Sequence, residues 1–275
     1  MKTAPVIRTK RALAALVARW RREGRGVGFV PTMGALHEGH AALVRRAAAA
    51  HDRVVVSVFV NPLQFGPNED YGRYPRALPA DRRLVAAAGA AAVYAPTARE
   101  MYPAGAVTTV DPGPAGDLHC GAYRPGHFRG VATVVLKLFE QVRPDAAYFG
   151  EKDFQQVVIV ERMVRDLDLP VRVVRVPTVR AKDGLALSSR NAYLTPRERQ
   201  AAPALRRALR AGARAGRGAE KAVRRALSGT GLKLQYAHLV DADTLLAPGP
   251  KTRRRRLLAA AYLGRTRLID NVALP

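Results

Sequence analysis

The chain has 275 residues, of which 48% are apolar, and this length and composition suffice for two domains with separate hydrophobic cores. Lysine and arginine number 46 against 22 acidic residues, which gives a formal net charge of +24. No apolar run is long enough to span a membrane, and residues 1–10 lack the apolar core of a signal peptide, so we expect a soluble, cytoplasmic protein without a membrane contact. The single cysteine, Cys120, excludes an internal disulfide and a cysteine-based zinc cluster.

The excess of positive charge raises nucleic acid as a partner. Its distribution argues against that partner, because only Arg253 to Arg256 form a tight basic run. The other basic residues are spread along alanine-rich helical segments, at positions that would face water. We therefore expect a solvated basic surface, with nucleic-acid binding as the less favoured alternative.

Short apolar runs alternate with helical stretches through the first two thirds of the chain. Strands are predicted at 27–30, 54–60, 91–94, 146–149 and 171–176, and helices at 11–22, 41–50, 80–88, 131–141 and 155–166. Strands separated by helices indicate crossover connections, which predict an α/β fold with a Rossmann-like, doubly wound parallel sheet. Ligands of such sheets bind beyond the carboxyl ends of the strands.

The most informative motif joins the strand at 27–30 to the helix at 41–50. Residues 31–40 read Pro-Thr-Met-Gly-Ala-Leu-His-Glu-Gly-His. A strand, a glycine-bearing turn and a helix in this order place backbone N–H groups and a positive dipole end at one spot, which suits the phosphates of a nucleotide. His37 and His40 can both face that spot, where an imidazolium would neutralise charge at a phosphorus under attack. Taken alone, the pair also fits two ordinary histidines at a helix start, or metal ligands.

Two further strand ends carry polar side chains. Asn61 and Gln64 follow the strand at 54–60, where amides can donate and accept hydrogen bonds to a small polar ligand. Residues 150–153 form a second strand-to-helix turn, in which Lys152 supplies a mobile charge for a phosphate. One of the two glutamines at 155–156 is expected to reach the same small ligand as Gln64.

Two loops complete the set of candidate segments. Ser188-Ser189-Arg190 follows a glycine-bearing turn, so two hydroxyls and a guanidinium can close over a triphosphate, with a helix cap as the alternative. Residues 124–128, Arg-Pro-Gly-His-Phe, suit either a mobile lid or a structural turn.

The pattern changes after Pro177. Two Arg/Ala-rich helices are predicted at 196–215 and 219–228, and short strands at 235–240, 256–262 and 266–271. This pattern is typical of a second, smaller α+β domain. We place the domains at 1–178 and 179–275.

The motif at 31–40 resembles that of the HxGH nucleotidyltransferase superfamily, and within it that of the pantothenate synthetase (pantoate beta-alanine ligase) family. The resemblance continues in register through 61–65, 74–76, 124–131, 149–156 and 176–191, and more weakly through 266–272. It implies an ATP-dependent ligase that joins (R)-pantoate to beta-alanine through a pantoyl adenylate, with Mg²⁺, and releases pantothenate, AMP and pyrophosphate. It also implies a homodimer of two-domain subunits, in which the amino-terminal domain binds ATP and pantoate and the carboxy-terminal domain is a partial cover.

The resemblance further implies roles for individual residues. Residues expected to line the ATP site are Met33, Gly34, Ala35, Leu36, His37, Glu38, Gly39, His40, Gly150, Glu151, Lys152, Asp153, Val179, Leu187, Ser188, Ser189 and Arg190. Those expected to act on the phosphates are His37, His40, Lys152, Ser188, Ser189 and Arg190. His40 matches the family's usual proton donor, although from its position we expect it to act mainly as a cation. Gln64 and Gln156, supported by Asn61, are expected to hold pantoate, and Gln64 to lie near beta-alanine as well. Asp81 is a candidate Mg²⁺ contact beside the ATP phosphates.

Two alternatives stay open at this point. Another adenylyltransferase of the superfamily would share the histidine site but transfer AMP to a phosphate and stop there; the amides of Asn61, Gln64 and Gln156 argue against it. An RNA-binding protein without enzymatic activity would explain the charge but not the two phosphate-type turns.

Overall fold

The computed structural model describes residues 3–274; Met1, Lys2 and Pro275, at the outer ends of the two predicted domains, lie outside the described residues. In chain order the strands are β1 (Val6–Ile7), β2 (Val27–Thr32), β3 (Arg53–Val58), β4 (Ala92–Tyr94), β5 (Ala146–Gly150), β6 (Arg172–Val176), β7 (Lys233–Asp241), β8 (Arg255–Leu263) and β9 (Thr266–Leu274). The α-helices are α1 (Lys10–Arg22), α2 (Glu38–Ala48), α3 (Leu78–Ala87), α4 (Ala98–Met101), α5 (His127–Val142), α6 (Phe154–Asp166), α7 (Pro196–Ala201), α8 (Ala204–Arg214) and α9 (Ala219–Leu227). Within residues 3–274, no helix is long and apolar enough to cross a membrane.

The first six strands form one parallel sheet in the order β1-β4-β3-β2-β5-β6. The chain moves outward from β2 through β3 to β4 and then returns to the other side of β2 with β5. Strand order therefore reverses between β2 and β5, and a crevice opens at their carboxyl ends. The predicted doubly wound parallel sheet is confirmed.

Helices cover both faces of this sheet, which explains why its central strands read as unbroken apolar runs. On one face, Leu13 of α1 and Val135 of α5 belong to the same buried apolar cluster as Phe29 of β2. On the other face, Val44 of α2 and Val30 of β2 share a second buried cluster. All five of these side chains are almost completely buried.

The carboxy-terminal part forms a smaller unit, an antiparallel sheet in the order β7-β8-β9. Helices α8 and α9 pack on this sheet around a separate apolar cluster that includes Leu209, Val223 and Leu257. Tyr236 and Leu258 belong instead to the core of the parallel sheet, so the two units share a packed boundary. The second α+β unit is confirmed, and its boundary near residue 178 stays a prediction.

Three elements differ from the sequence-based expectation. The single helix predicted at 196–215 is wrong, because α7 ends at Ala201 and α8 begins at Ala204. Pro203 lies in this break, and it has no N–H to donate to the preceding turn. Strand β1 and helix α4 were not predicted because they are too short to show a period.

Candidate active site

A cavity of about 220 Å³ opens at the carboxyl ends of β2 and β5, and we call it the inner cavity. A second cavity of about 390 Å³, the outer cavity, lies between the parallel sheet's loops and the β7–β9 unit. The two cavities are adjacent and share seven lining residues, and residues from both phosphate-type turns line the inner cavity. The shared lining residues are Arg124, His127, Lys152, Asp153, Gln156, Ser188 and Arg190.

The start of helix α2 presents its two histidines to the inner cavity. His37 is the N-cap residue, and its Nδ1 accepts a hydrogen bond from the N–H of Gly39 at 3.1 Å. The Nδ1 of His40 accepts from the N–H of His37 at 3.3 Å. A backbone N–H can only donate, so each Nδ1 is unprotonated and each neutral ring carries its hydrogen on Nε2. The ring centroids lie 4.2 Å apart.

Both histidines are neutral at pH 7 in the free protein. Burial, with help from the positive charge of Lys152, lowers the pKa of His37 to about 4. Burial, His37 and Lys152 lower the pKa of His40 to about 3. The expectation that His40 is a cation is therefore not met in this state, although a bound phosphate would raise both pKa values. The free site offers two Nε2–H donors.

Asp81 holds the turn between β2 and α2. One carboxylate oxygen accepts from the N–H of Leu36 at 2.8 Å and the other from the N–H of Ala35 at 3.1 Å. These bonds hold Ala35 at φ +51°, a conformation that non-glycine residues rarely adopt. Asp81 is almost completely buried and does not line either cavity. We therefore assign it a positioning role in place of the predicted Mg²⁺ contact.

The second phosphate-type turn places Lys152 beside the histidines. Its Nζ lies 3.2 Å from a carboxylate oxygen of Asp153. Burial opposes ionisation of Asp153, but Lys152 and the other nearby cationic groups, Arg190 among them, together more than offset this effect, so the pKa of Asp153 is lowered. Strand β9 supports the turn, because the Nδ2 of Asn271 donates to the carbonyls of Glu151 at 2.8 Å and Lys152 at 3.0 Å.

The loop at 188–190 reaches the first turn directly. The hydroxyl of Ser189 donates to the carbonyl of Ala35 at 2.9 Å. Arg190, predicted to bind a triphosphate, makes a two-point ion pair with Asp70 at 2.9 and 2.7 Å. Sequence reasoning missed Asp70, because its partner Arg190 lies 120 residues away along the chain and no local pattern encodes the contact.

Two amides form a polar end of the inner cavity. Gln64 is 8% exposed, and its Oε1 accepts from the Nδ2 of Asn61 at 3.0 Å. Gln156 lines both cavities, and in the described part of the chain its side chain makes no hydrogen bond. Gln155 is buried and bonds to Cys120 and Leu118, so Gln156 is the glutamine that reaches the inner cavity. The inner cavity also has apolar lining residues, among them Phe59, Val131, Val134, Val135 and Leu138.

The segment at 124–128, predicted as a lid or a turn, is firmly bonded to the amide end. The Nδ1 of His127 donates to the carbonyl of Gln64 at 2.8 Å, because that carbonyl can only accept. Arg124 donates to the same carbonyl at 3.2 Å and pairs with Glu69 at 2.6 Å. Burial, and then the charge of Arg124, lower the pKa of His127 to about 3, so this ring is also neutral.

The described residues hold no cluster of three or more His, Cys, Asp or Glu side chains that would form a metal cage. The carboxylates of Asp70 and Asp153, beside the phosphate-type groups, are each paired with a cation. This donor set fits an ion that arrives with phosphate oxygens and water as its main ligands.

Most of the predicted site residues meet at one place. Those that line the inner cavity are Met33, His37, Gly39, His40, Asn61, Gln64, Gly150, Lys152, Asp153, Gln156, Val179, Leu187, Ser188, Ser189 and Arg190. Those predicted but absent from its lining are Gly34, Ala35, Leu36, Glu38, Asp81 and Glu151. Glu38 forms an ion pair with Arg45 on the surface of α2.

Comparisons of the sequence and of the structure with known proteins point to one family over nearly the full length of the chain. The family model described as pantoate-beta-alanine ligase matches residues 5–273. The pantothenate synthetases of Moorella thermoacetica and Rubrobacter xylanophilus are both 52% identical to this chain. The first match covers 98% of both proteins, and the second covers 100% of both. The crystal structure of pantothenate synthetase from Thermus thermophilus superposes with a TM-score of 0.92 at 51% identity, covering 98% of this chain and 100% of that one. A pantoate-beta-alanine ligase from Francisella tularensis, in complex with beta-gamma ATP and beta-alanine, gives a TM-score of 0.83 at 34% identity, covering 98% of this chain and 97% of that one.

Proposed function

Because this chain belongs to the pantoate-beta-alanine ligase family, we propose that its inner cavity first adenylates (R)-pantoate and then passes the pantoyl group to beta-alanine. The chain is an ATP-dependent ligase of that family. The residue roles, the pantoate site, the Mg²⁺ ion, the cytoplasmic location and the homodimer belong to the proposal.

The first step needs charge stabilisation at the α-phosphorus. A carboxylate oxygen of pantoate attacks this phosphorus, and pyrophosphate leaves with the electrons of the broken P–O bond. We assign the Nε2–H groups of His37 and His40, with the ammonium of Lys152, to the phosphate oxygens that gain charge. Ser188, Ser189 and Arg190 are assigned to the outer phosphates. Mg²⁺ bound with ATP would lower the negative charge of the triphosphate.

Pantoate is assigned to the amide end of the inner cavity. The side chains of Gln64 and Gln156 suit its carboxylate and hydroxyls, and the apolar lining beside them suits its two methyl groups. Holding the nucleophile and the α-phosphorus in line can supply about 7 to 11 kcal/mol of the barrier through positioning alone.

In the second step the amine of beta-alanine attacks the acyl carbon of pantoyl adenylate. The C–N bond forms, the acyl C–O bond to AMP breaks, and the nitrogen loses a proton. We assign the approach of beta-alanine to the outer cavity, because Gln156 and Lys152 line both cavities. No covalent enzyme intermediate is required.

The observation that carries this proposal is that phosphate-binding groups and amide groups share one cavity. Its test is exchange of labelled pyrophosphate into ATP without beta-alanine. We expect exchange only when pantoate is present, because only an enzyme that forms an acyl adenylate first reverses that step. Exchange that ignores pantoate, or no exchange, would contradict the proposal.

Gln64→Ala separates the ligase from a plain adenylyltransferase. Loss of one buried hydrogen-bonding partner costs roughly 1 to 3 kcal/mol, so use of pantoate should weaken by about fivefold to 150-fold. Binding of ATP should be nearly unchanged, and the beta-alanine step could slow as well. A defect confined to ATP would remove Gln64 from the pantoate site.

Nucleic-acid binding is the one other function with an observation in its favour, the net charge of +24. On the solvated-surface interpretation, labelled RNA should bind weakly, without sequence preference, and lose affinity steeply with added salt. Tight binding at physiological ionic strength that competes with ATP would favour the alternative.

A further inference from the structure

Tyr102, just after helix α4, contacts the amide end of the inner cavity from behind. Its hydroxyl lies 2.8 Å from the Oδ1 of Asn61. Burial raises the pKa of Tyr102, so the hydroxyl keeps its proton at any pH at which the protein works. Tyr102 does not line either cavity, and no motif in the sequence singled it out.

The amide of Asn61 has only one orientation that satisfies its neighbours. Its Nδ2 faces the carbonyl of Gly130 at 3.0 Å, and that carbonyl can only accept. Its Oδ1 faces the N–H of Leu63 at 3.3 Å, which can only donate. Rotating the amide by 180° would oppose like groups at both contacts. The hydroxyl of Tyr102 is therefore a donor to Asn61, and it fills the second acceptor site of that oxygen.

The orientation of Asn61 decides that of Gln64. The second hydrogen on the Nδ2 of Asn61 points to the Oε1 of Gln64 at 3.0 Å. The Nε2 of Gln64 consequently lies on the other side, 3.1 Å from the Sδ of Met33, at the inner cavity. Because a thioether sulfur is a weak acceptor, this amide nitrogen has donor capacity left for a ligand.

We propose that Tyr102 is a positioning residue for pantoate: its hydroxyl reinforces the orientation of Asn61 in which Gln64 presents its N–H group, and not its oxygen, to the substrate. The hydroxyl, the Asn61 amide and the Gln64 amide then form a chain of donors that all point the same way, and each strengthens the next. The substrate atom that Gln64 receives is an acceptor, a carboxylate or hydroxyl oxygen. The inference rests on the proposed function, since it places pantoate beside Gln64.

The test is Tyr102→Phe, which removes one oxygen and leaves the ring in place. Loss of one donor from the chain should raise the KM for pantoate by about three- to tenfold. The KM for ATP and kcat should stay within about twofold of the parent, a margin below the effect of a single hydrogen bond. Tyr94→Phe is the matched control, because the hydroxyl of Tyr94 is likewise bonded to a side-chain carbonyl, that of Gln141 at 2.8 Å, away from both cavities.

A double-mutant cycle with Gln64→Ala separates positioning from a general loss of stability. If Tyr102 acts through Gln64, Tyr102→Phe should have no further effect on pantoate in the Gln64→Ala background. An additive effect, an equal rise in the KM for ATP, or the same small change as in Tyr94→Phe would each overturn the inference.

Asn61→Asp provides a second variant, which should harm pantoate use more strongly, because its oxygen would face the Oε1 of Gln64. If the parent enzyme does not use pantoate at all, it is the proposed function that fails.

Discussion

His37 and His40 illustrate how a helix start determines the protonation state of the residues that cap it. The N–H groups of the first turn of α2 point at the Nδ1 atoms of both rings. A proton on either Nδ1 would face one of these hydrogens, and Lys152 adds a second positive charge nearby. Both rings are therefore neutral hydrogen-bond donors before the nucleotide binds. The negative charge of a bound nucleotide would favour their protonation.

His40→Ala should slow adenylation by on the order of 10² to 10³, the scale for losing one preorganised donor in a water-poor site. The affinity for ATP should fall much less, because this donor matters most when charge builds up at the α-phosphorus. Single-turnover formation of pantoyl adenylate, measured beside ATP binding, is the appropriate experiment. A variant that matches the parent rate would show that His40 has another role.

The lowered pKa of His40, about 3, also predicts how stability depends on pH. An unfolded histidine takes up a proton near pH 6.5, whereas folded His40 stays neutral, so the unfolded state binds more protons between about pH 6 and 4. The free energy of unfolding should therefore fall as the pH is lowered through this range. Urea titrations should show a pH slope that is smaller in His40→Asn by up to about one proton per molecule. An unchanged slope would mean that His40 titrates normally in the folded protein.

Single residues were predictable where a local motif carries the chemistry. His37, His40 and Lys152 lie at strand-to-helix turns, so sequence order alone places them at one edge of the sheet. Asp70 and Tyr102 were not predictable, because their partners lie far away along the chain and no local pattern encodes such contacts. Asp81 was assigned to Mg²⁺ for the same reason, since its bonds to the β2–α2 turn cannot be read from the helix that carries it.

At the scale of elements, the loop at 66–73 holds two arginines of the cavity with two neighbouring carboxylates. Glu69 pairs with Arg124, and Asp70 pairs with Arg190. Asp70 occupies the guanidinium of Arg190 in the free protein, so it would compete with an incoming phosphate for this group. Binding of a triphosphate must weaken or share the Asp70 contact.

Asp70→Asn should raise the affinity for ATP, because it leaves Arg190 without a competing carboxylate. We expect about a fivefold gain, which corresponds to roughly 1 kcal/mol, the scale of a partly exposed ion pair. Asp183→Asn is the matched control, since it removes the same charge from an Arg199 pair outside both cavities. Weaker ATP binding in Asp70→Asn would show that Asp70 positions Arg190 for the nucleotide instead.

The backbone of helix α5 lies very close to the Asn61–Gln64 turn at Gly130. A Cβ atom on this residue would lie 2.2 Å from the carbonyl oxygen of Leu63. Gly130→Ala should therefore destabilise the protein by about 1 to 3 kcal/mol, despite the better helix propensity of alanine, and should also weaken pantoate use. Gly72→Ala, with no atom within 4 Å of the added Cβ, is the control for chemical denaturation. Equal stability of the two variants would contradict this view of the contact.

Elements were predictable in proportion to their length and burial. The central strands β2, β3 and β5 are apolar along their length, and their positions were predicted to within a few residues. Helix α4 has only four residues, which is too short to show a helical period. The break between α7 and α8 was signalled by Pro203 but was outweighed by the alanine-rich sequence on both sides.

At the scale of the whole molecule, the cavity depends on contacts between parts of the chain that are distant in sequence. Ser189 bonds to Ala35 over a separation of 154 residues, and Asn271 bonds to Glu151 over 120. Both contacts end on the turns that carry the phosphate-type groups. The β7–β9 unit therefore contacts the backbone of the second turn directly, through Asn271.

The large sequence separation of these contacts affects the stage of folding at which activity appears. Closing a long loop is slower than forming neighbouring strands and helices, so the sheet should assemble before Asn271 reaches the turn at Glu151. On dilution from denaturant, helical circular dichroism should return first and pantoate-dependent pyrophosphate exchange later, and Asn271→Ala should widen the interval between them. Simultaneous recovery of both signals would show that strand β9 reaches the turn in the same step that forms the sheet. If activity returns later, a newly made chain passes through a period in which it is largely folded but still inactive.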